Sequence, residues 1–298
     1  MSRVGTPLAA VVLLAAAAAA QDAPGPPPVL SIAREEIKPG QMGPHEKQAA
    51  RFLAVQGKAN AKAFRIGLVP VSGDDNQVVY LEGHPSFAEM EAGQNEFEAA
   101  VAASPALSAE MSQIEAGGAA MHASQKRMLA VLRSDLSFRP HRMDEVAKAR
   151  YVTISRTQVR PGRGPDYVDW IKQLNGAREK ANADWVRTVV YQVVSGAPAG
   201  TYLTFTANRS LAEWDEATAK LEERAKLIEA ALGGDEVVKQ RRLALADIVA
   251  ETVPSLYAMH PGISRPAEQF AAWDQAFWKP QPAAASAKQL AVKKEPKN

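Results

Sequence analysis

Apolar and polar positions follow the same order twice along this chain. Residues 29–37 are largely apolar at the start and read as a strand, broken by Pro39-Gly40. A helix is expected over 44–62, with His45, Ala49, Phe52 and Ala59 on its inner face at helical spacing. Residues 64–71 form an apolar and β-branched run, Ser72 to Asn76 a turn cluster, and 78–83 a further strand, which together describe a hairpin. Ser86 and Glu89 have the spacing of a capping box and open a second helical region. That region is expected to reach about residue 129, with breaks near Ser104-Pro105 and Gly117-Gly118, before a closing strand over 132–138. After a joint at 146–150 the second pass gives a strand at 151–159, a helix at 165–183 with Tyr167, Ile171, Leu174 and Ala181 inward, and strands at 185–194 and 201–207. Helical segments over 211–249 follow, with a break at Gly233-Gly234, and then a strand at 252–258.

The two passes share residues as well as periodicity. At one constant offset Ile32, Arg34, Pro39 and Gly40 fall on Ile154, Arg156, Pro161 and Gly162. Lys58-Ala59-Asn60-Ala61 falls on Lys180-Ala181-Asn182-Ala183, Arg65 on Arg187, and Tyr80-Leu81 on Tyr202-Leu203. After small loop gaps Ser86 and Glu89 fall on Ser210 and Glu213. A repeat of this length is a duplicated domain rather than a solenoid unit. Each copy reads β-α-β-β-α-β, the ferredoxin-like split βαβ order, in the α+β class. The expected organisation is repeat 1 over 29–140 and repeat 2 over 149–259, with a tail over 263–298 whose end is disordered and whose Phe270, Trp273, Phe277 and Trp278 pack back on a domain.

This element order, with a long second helix and a tandem copy, resembles the dimeric α+β barrel superfamily, which includes antibiotic-biosynthesis-monooxygenase-like and NIPSNAP-like domains. The resemblance implies two ferredoxin-like units packed sheet to sheet as an intrachain α+β barrel. It also implies a monomer with a pseudo-dimeric barrel, since one chain supplies both halves. Fold analogy by itself assigns no activity.

Composition narrows the setting. The chain has 298 residues, a formal net charge of +2 and no cysteine. Disulfides, thiolate catalysis and zinc–thiolate sites are therefore excluded, and nothing suggests a nucleic-acid partner. Arg3, the apolar run from Leu8 to Ala20 and the small residues before Gln21 have the layout of a signal peptide over 1–20, followed by a Pro-rich linker over 21–28. The expectation is a periplasmic or secreted protein with no membrane segment once the signal is removed.

Candidate chemistry is sparse, with no Gly-rich phosphate loop and no nucleophile elbow. Alternation along the strand at 78–84 puts Val79 and Leu81 on one face and Tyr80, Glu82 and His84 on the other. If the apolar pair covers the helices, the polar trio and the matched Tyr202 face a cavity between the copies. Against this, strand tyrosines are commonly core aromatics with satisfied hydroxyls. Glu82 and His84 alone are too few for a metal site, and His45, His122, His141 and His260 show no ligand spacing, so neither metal nor cofactor is expected. Arg34 and Arg156 either clamp a carboxylate or phosphate or pair with neighbours such as Glu35 and Glu36. The candidate ligand-binding set is Tyr80, Glu82, His84, Tyr202, Arg34 and Arg156. The function expected is small-molecule binding or an accessory role. The alternatives are a cofactor-independent monooxygenase-like or haem-using enzyme, and an interaction module built on the C-terminal aromatic residues.

Overall fold

The computed structural model describes residues 24–62 and 64–279. The expected signal segment and the last part of the tail lie outside these residues. The first repeat comprises β1 (Val29–Ile37), α1 (Met42–Lys58), β2 (Ile66–Pro70), β3 (Gln77–His84), α2 (Phe87–Ala102), α3 (Pro105–Met121) and β4 (His122–Leu132). A short helix, α4 (Met143–Val146), leads to the second: β5 (Tyr151–Val159), α5 (Gly164–Lys180), β6 (Val189–Ser195), β7 (Thr201–Asn208), α6 (Leu211–Ala219), α7 (Leu221–Leu232), α8 (Asp235–Ile248) and β8 (Val249–Met259). The helices α9 (Glu268–Ala272) and α10 (Gln275–Trp278) follow. No described helix is long and apolar enough to cross a membrane.

The matched residues serve the backbone at matched places. Gly40 and Gly162 carry φ of 78° and 80° in the turn before the first helix of each repeat, where an L side chain is strained. Asn60 and Asn182, at 53° and 48°, take the left-handed conformation just past the ends of α1 and α5. Asparagine tolerates it better than most residues.

The eight strands close into one antiparallel barrel in the order β4-β1-β3-β2-β8-β5-β7-β6. Each repeat supplies four adjacent strands in the ferredoxin-like order. The two seams are related: β2 pairs with β8 (Leu68 opposite Met259) and β4 pairs with β6 (Leu132 opposite Tyr191). Two tandem ferredoxin-like units thus make an α+β barrel within one chain. Closure leaves no unpaired sheet edge.

Apolar side chains fill most of the barrel interior. Ile32, Leu68, Val79, Met128, Val152 and Leu203 belong to that inner cluster. The opposite strand faces lie under the helices. There Ile37, Val78 and Tyr80 pack with Ala49 of α1, and Val159, Val190 and Tyr202 pack with Tyr167 of α5.

Three expectations are corrected. The closing strand of repeat 1 is His122–Leu132, not 132–138, and the helix before it stops at Met121. The run from Gln125 to Arg127 favours a helix locally, yet it pairs in register with β1 and becomes strand. Residues 133–138 instead form a loop whose Leu136 and Phe138 are buried. The strand faces are also reversed: Val79 and Leu81 point into the barrel, while Tyr80, Glu82 and His84 lie on the helix side. On the helix side the polar members of β3 find partners: Glu82 meets Arg65 at 2.6 Å and Tyr80 lies under the same guanidinium. Finally, the strand expected at 185–194 begins only at Val189. The C-terminal aromatic residues do pack back: Phe270 and Trp278 join the inner cluster, and Trp278 Nε1 donates to the Ala147 carbonyl at 2.7 Å.

Candidate functional site

Arg34 and Arg156 occupy equivalent positions on β1 and β5, two residues beyond Ile32 and Ile154 on the inward face. Both line one cleft of about 330 Å³. Its apolar wall is formed by Ile32, Val79, Met128, Ile154, Leu203 and Phe205, and Asp74, Glu251 and Ser255 add polar groups. Arg34 Nη2 donates to Gln77 Oε1 at 2.9 Å, and the same oxygen accepts from the Tyr257 hydroxyl at 3.0 Å. Arg156 Nη2 donates to Glu251 Oε2 at 2.7 Å, with the two side chains 31% and 54% exposed. An ion pair so open to water is held weakly. The expected pairing of these arginines with Glu35 or Glu36 is not what forms: Glu36 accepts from Ser124 Oγ, and Glu35 turns to the helix side.

The other four expected residues lie outside the barrel wall. Tyr80 sits beneath α1 with the Arg65 guanidinium 4.7 Å from its ring centre. Burial, reinforced by the nearby Glu35 charge, holds its hydroxyl well above the ordinary tyrosine range. Glu82 is engaged by Arg65 at 2.6 Å, with both side chains mostly buried. His84 is half-buried at the end of β3, and burial lowers its pKa against the opposing pull of Glu82. Tyr202 packs against Tyr167 with ring centres 4.6 Å apart and ring planes inclined at 40°. The six residues are therefore not one site: the arginines share the cleft, and the other four line neither barrel cavity.

A second cavity, of about 130 Å³, lies on the other side of Phe205 and is almost wholly apolar, with Leu30, Ile66, Leu81 and Val189 in its wall. Pro26, Pro27, Met143 and Phe270 also line it. His141, Arg187 and Tyr191 are its charged or titratable members, and the Tyr191 hydroxyl donates to the Pro27 carbonyl at 2.8 Å. Burial lowers the His141 pKa; Glu145 opposes that and Arg187 adds to it.

Sequence reasoning missed one cluster. Glu35 on β1, His45 on α1 and His122 at the start of β4 bring their ligand atoms within 4.8 Å of one another. His45 Nε2 is 2.9 Å and His122 Nε2 3.3 Å from the same carboxylate oxygen, Glu35 Oε2. Burial alone would raise the Glu35 pKa, but the His45 hydrogen bond and the charges of His122, His45 and Arg65 bring it below the ordinary value. The helical period does put His45 on the inner face of its helix, and Glu35 lies on an expected strand. For His122 there is no such signal, because its segment reads as the middle of a helix.

No protein-family model matches the chain, and neither does any curated protein. Solved structures with a similar chain path include a provisionally named monooxygenase from Fusobacterium nucleatum (8% identity, TM-score 0.47, covering 78% of this chain and 93% of that one). An anthrone oxidase-like protein matches at 11% identity and TM-score 0.45, over 78% of this chain and 91% of that one. A chlorite dismutase variant from Candidatus Nitrospira defluvii matches at 9% identity and TM-score 0.43, over 83% and 95%. At these identities the likeness concerns chain path alone.

Proposed function

We propose that this protein binds a small organic anion with an apolar body in the arginine cleft of the barrel, and that it does so as a single chain in the periplasm or outside the cell. The observation that carries the reading is the convergence of Arg34 and Arg156, one from each repeat, on a cleft with an apolar wall. A few polar groups placed over an apolar surface are the usual make-up of a ligand site. Arginine is suited to a carboxylate because its planar fork offers two parallel N–H donors. Arg34 gives a donor to a neutral amide, and Arg156 to a half-exposed carboxylate, so a ligand carboxylate competes with weak partners. The wall from Ile32 to Phe205 takes the apolar part of the ligand. A closed intrachain barrel needs no second subunit to complete this cleft.

The test is calorimetric titration of the full chain with benzoate, hexanoate and the neutral benzamide. A carboxylate is expected to bind at least ~10-fold more tightly than the amide, with Arg34→Met and Arg156→Met each weakening it by a similar factor, the loss expected for one charged hydrogen bond. Equal binding of benzoate and benzamide, or carboxylate affinity indifferent to both substitutions, would overturn the reading.

A further inference from the structure

We propose that Glu35, His45 and His122 form a binding site for a divalent first-row transition metal, independent of the arginine cleft. Two imidazoles and one carboxylate, with a position left open, are a donor set suited to zinc or ferrous iron. The nitrogens of His45 and His122 already face one oxygen of Glu35 at 2.9 and 3.3 Å. Ligands around a tetrahedral zinc stand about 3.3 Å apart when bonds are about 2.0–2.1 Å. A cation therefore fits among these atoms with small side-chain movements, displacing the proton between His45 and the carboxylate.

The second repeat supplies independent support. Strand register places Val249 opposite Val159 where His122 stands opposite Ile37. The repeat offset puts Thr157 where Glu35 stands and Tyr167 where His45 stands. There the same space between sheet and helix is filled by Tyr167 packed against Tyr202, with Val159 and Val249 alongside. The fold is thus satisfied at this place without a carboxylate or an imidazole. Repeat 1 instead gathers three such groups, with His45 only 3% exposed, and burying them costs stability unless something compensates. Among the described residues His122 Nε2 has no hydrogen-bond partner, although it faces Glu35. Gln125 Nε2 lies 3.1 Å from His122 Nδ1 and 3.4 Å from Glu35 Oε1; with His122 bound through Nε2 its Nδ1–H needs an acceptor, which the Gln125 amide supplies when turned to present Oε1.

The experiment is titration of the metal-stripped full chain with Co²⁺, read by the visible d–d absorption of the bound ion, and with Zn²⁺ by calorimetry. One ion per chain is expected, with His122→Ala and Glu35→Gln each weakening it at least ~10-fold, and with His84→Ala, a histidine outside the cluster, leaving it unchanged. His45→Ala risks misfolding, so the two more exposed positions carry the test, with circular dichroism confirming that each variant is folded. A hydrogen-bonded trio with no metal role would show either no stoichiometric binding or binding unaltered in His122→Ala and Glu35→Gln, and either result overturns the proposal.

Discussion

Asn60 and Asn182 show what a repeated residue can mean. Both stand at positive φ immediately after a helix, in a motif that the two repeats share. An L residue in that conformation is strained by about 1–2 kcal/mol, which asparagine partly avoids and glycine escapes. Asn182→Ala is expected to lower stability by about 1 kcal/mol and Asn182→Gly to leave it unchanged or raise it, as read by urea denaturation. The same pair at Asn60 should behave alike. The matched arginines, by contrast, meet different partners, Gln77 and Glu251, so identity across repeats marks position more than contact. At this scale the alternation of β3 is legible in the sequence, but the direction of each face is not. Tyr80 and Leu81 both carry large apolar surfaces, and only barrel closure decides which turns inward.

Among the elements, the matched helix starts at Ser86 and Ser210 are capped differently. Ser86 Oγ accepts from the Glu89 amide at 3.1 Å. Ser210 makes no such bond; there Glu213 reaches back to accept from the Arg209 amide at 2.8 Å. Ser86→Ala is therefore expected to cost about 1 kcal/mol and Ser210→Ala markedly less, a difference measurable from thermal or urea midpoints. The break at Gly233-Gly234 is readable from sequence because paired glycines suit the positive φ that both adopt between α7 and α8. The start of β4 is not. His122 to Arg127 carries no strong strand pattern, and pairing with β1 gives it its form.

For the molecule as a whole, two half-buried histidines contribute to the response to acid. Burial lowers the pKa of His84, opposed by Glu82, and of His141, opposed by Glu145 and Glu213 and assisted by Arg187. The unfolded chain takes up these protons near pH ~6.5, the folded protein only at lower pH. Between those values the unfolded state binds more protons, so the contribution of these two histidines to stability falls as pH drops below about 6.5 and levels off once their folded forms are also protonated. The urea midpoint should decline over this range, and a His84→Gln, His141→Gln double variant should decline less. An identical pH profile for both proteins would show that these histidines do not carry the effect.

The sequence by itself determined the duplication, the βαββαβ order and the turns between elements, because those rest on local periodicity and on residues such as Gly40 and Asn60 that suit particular backbone angles. It also placed Arg34 and Arg156 on equivalent strands. Tertiary structure alone decided that the eight strands close on themselves, and that closure turned Val79 and Leu81 inward and Tyr80 and His84 outward. It alone joined Glu35, His45 and His122, residues from a strand, a helix and a second strand, whose meeting depends on pairing between β1 and β4 and on the seat of α1 against them. Periodicity reports what lies on one face of one element; which faces meet is settled by the packing of distant segments.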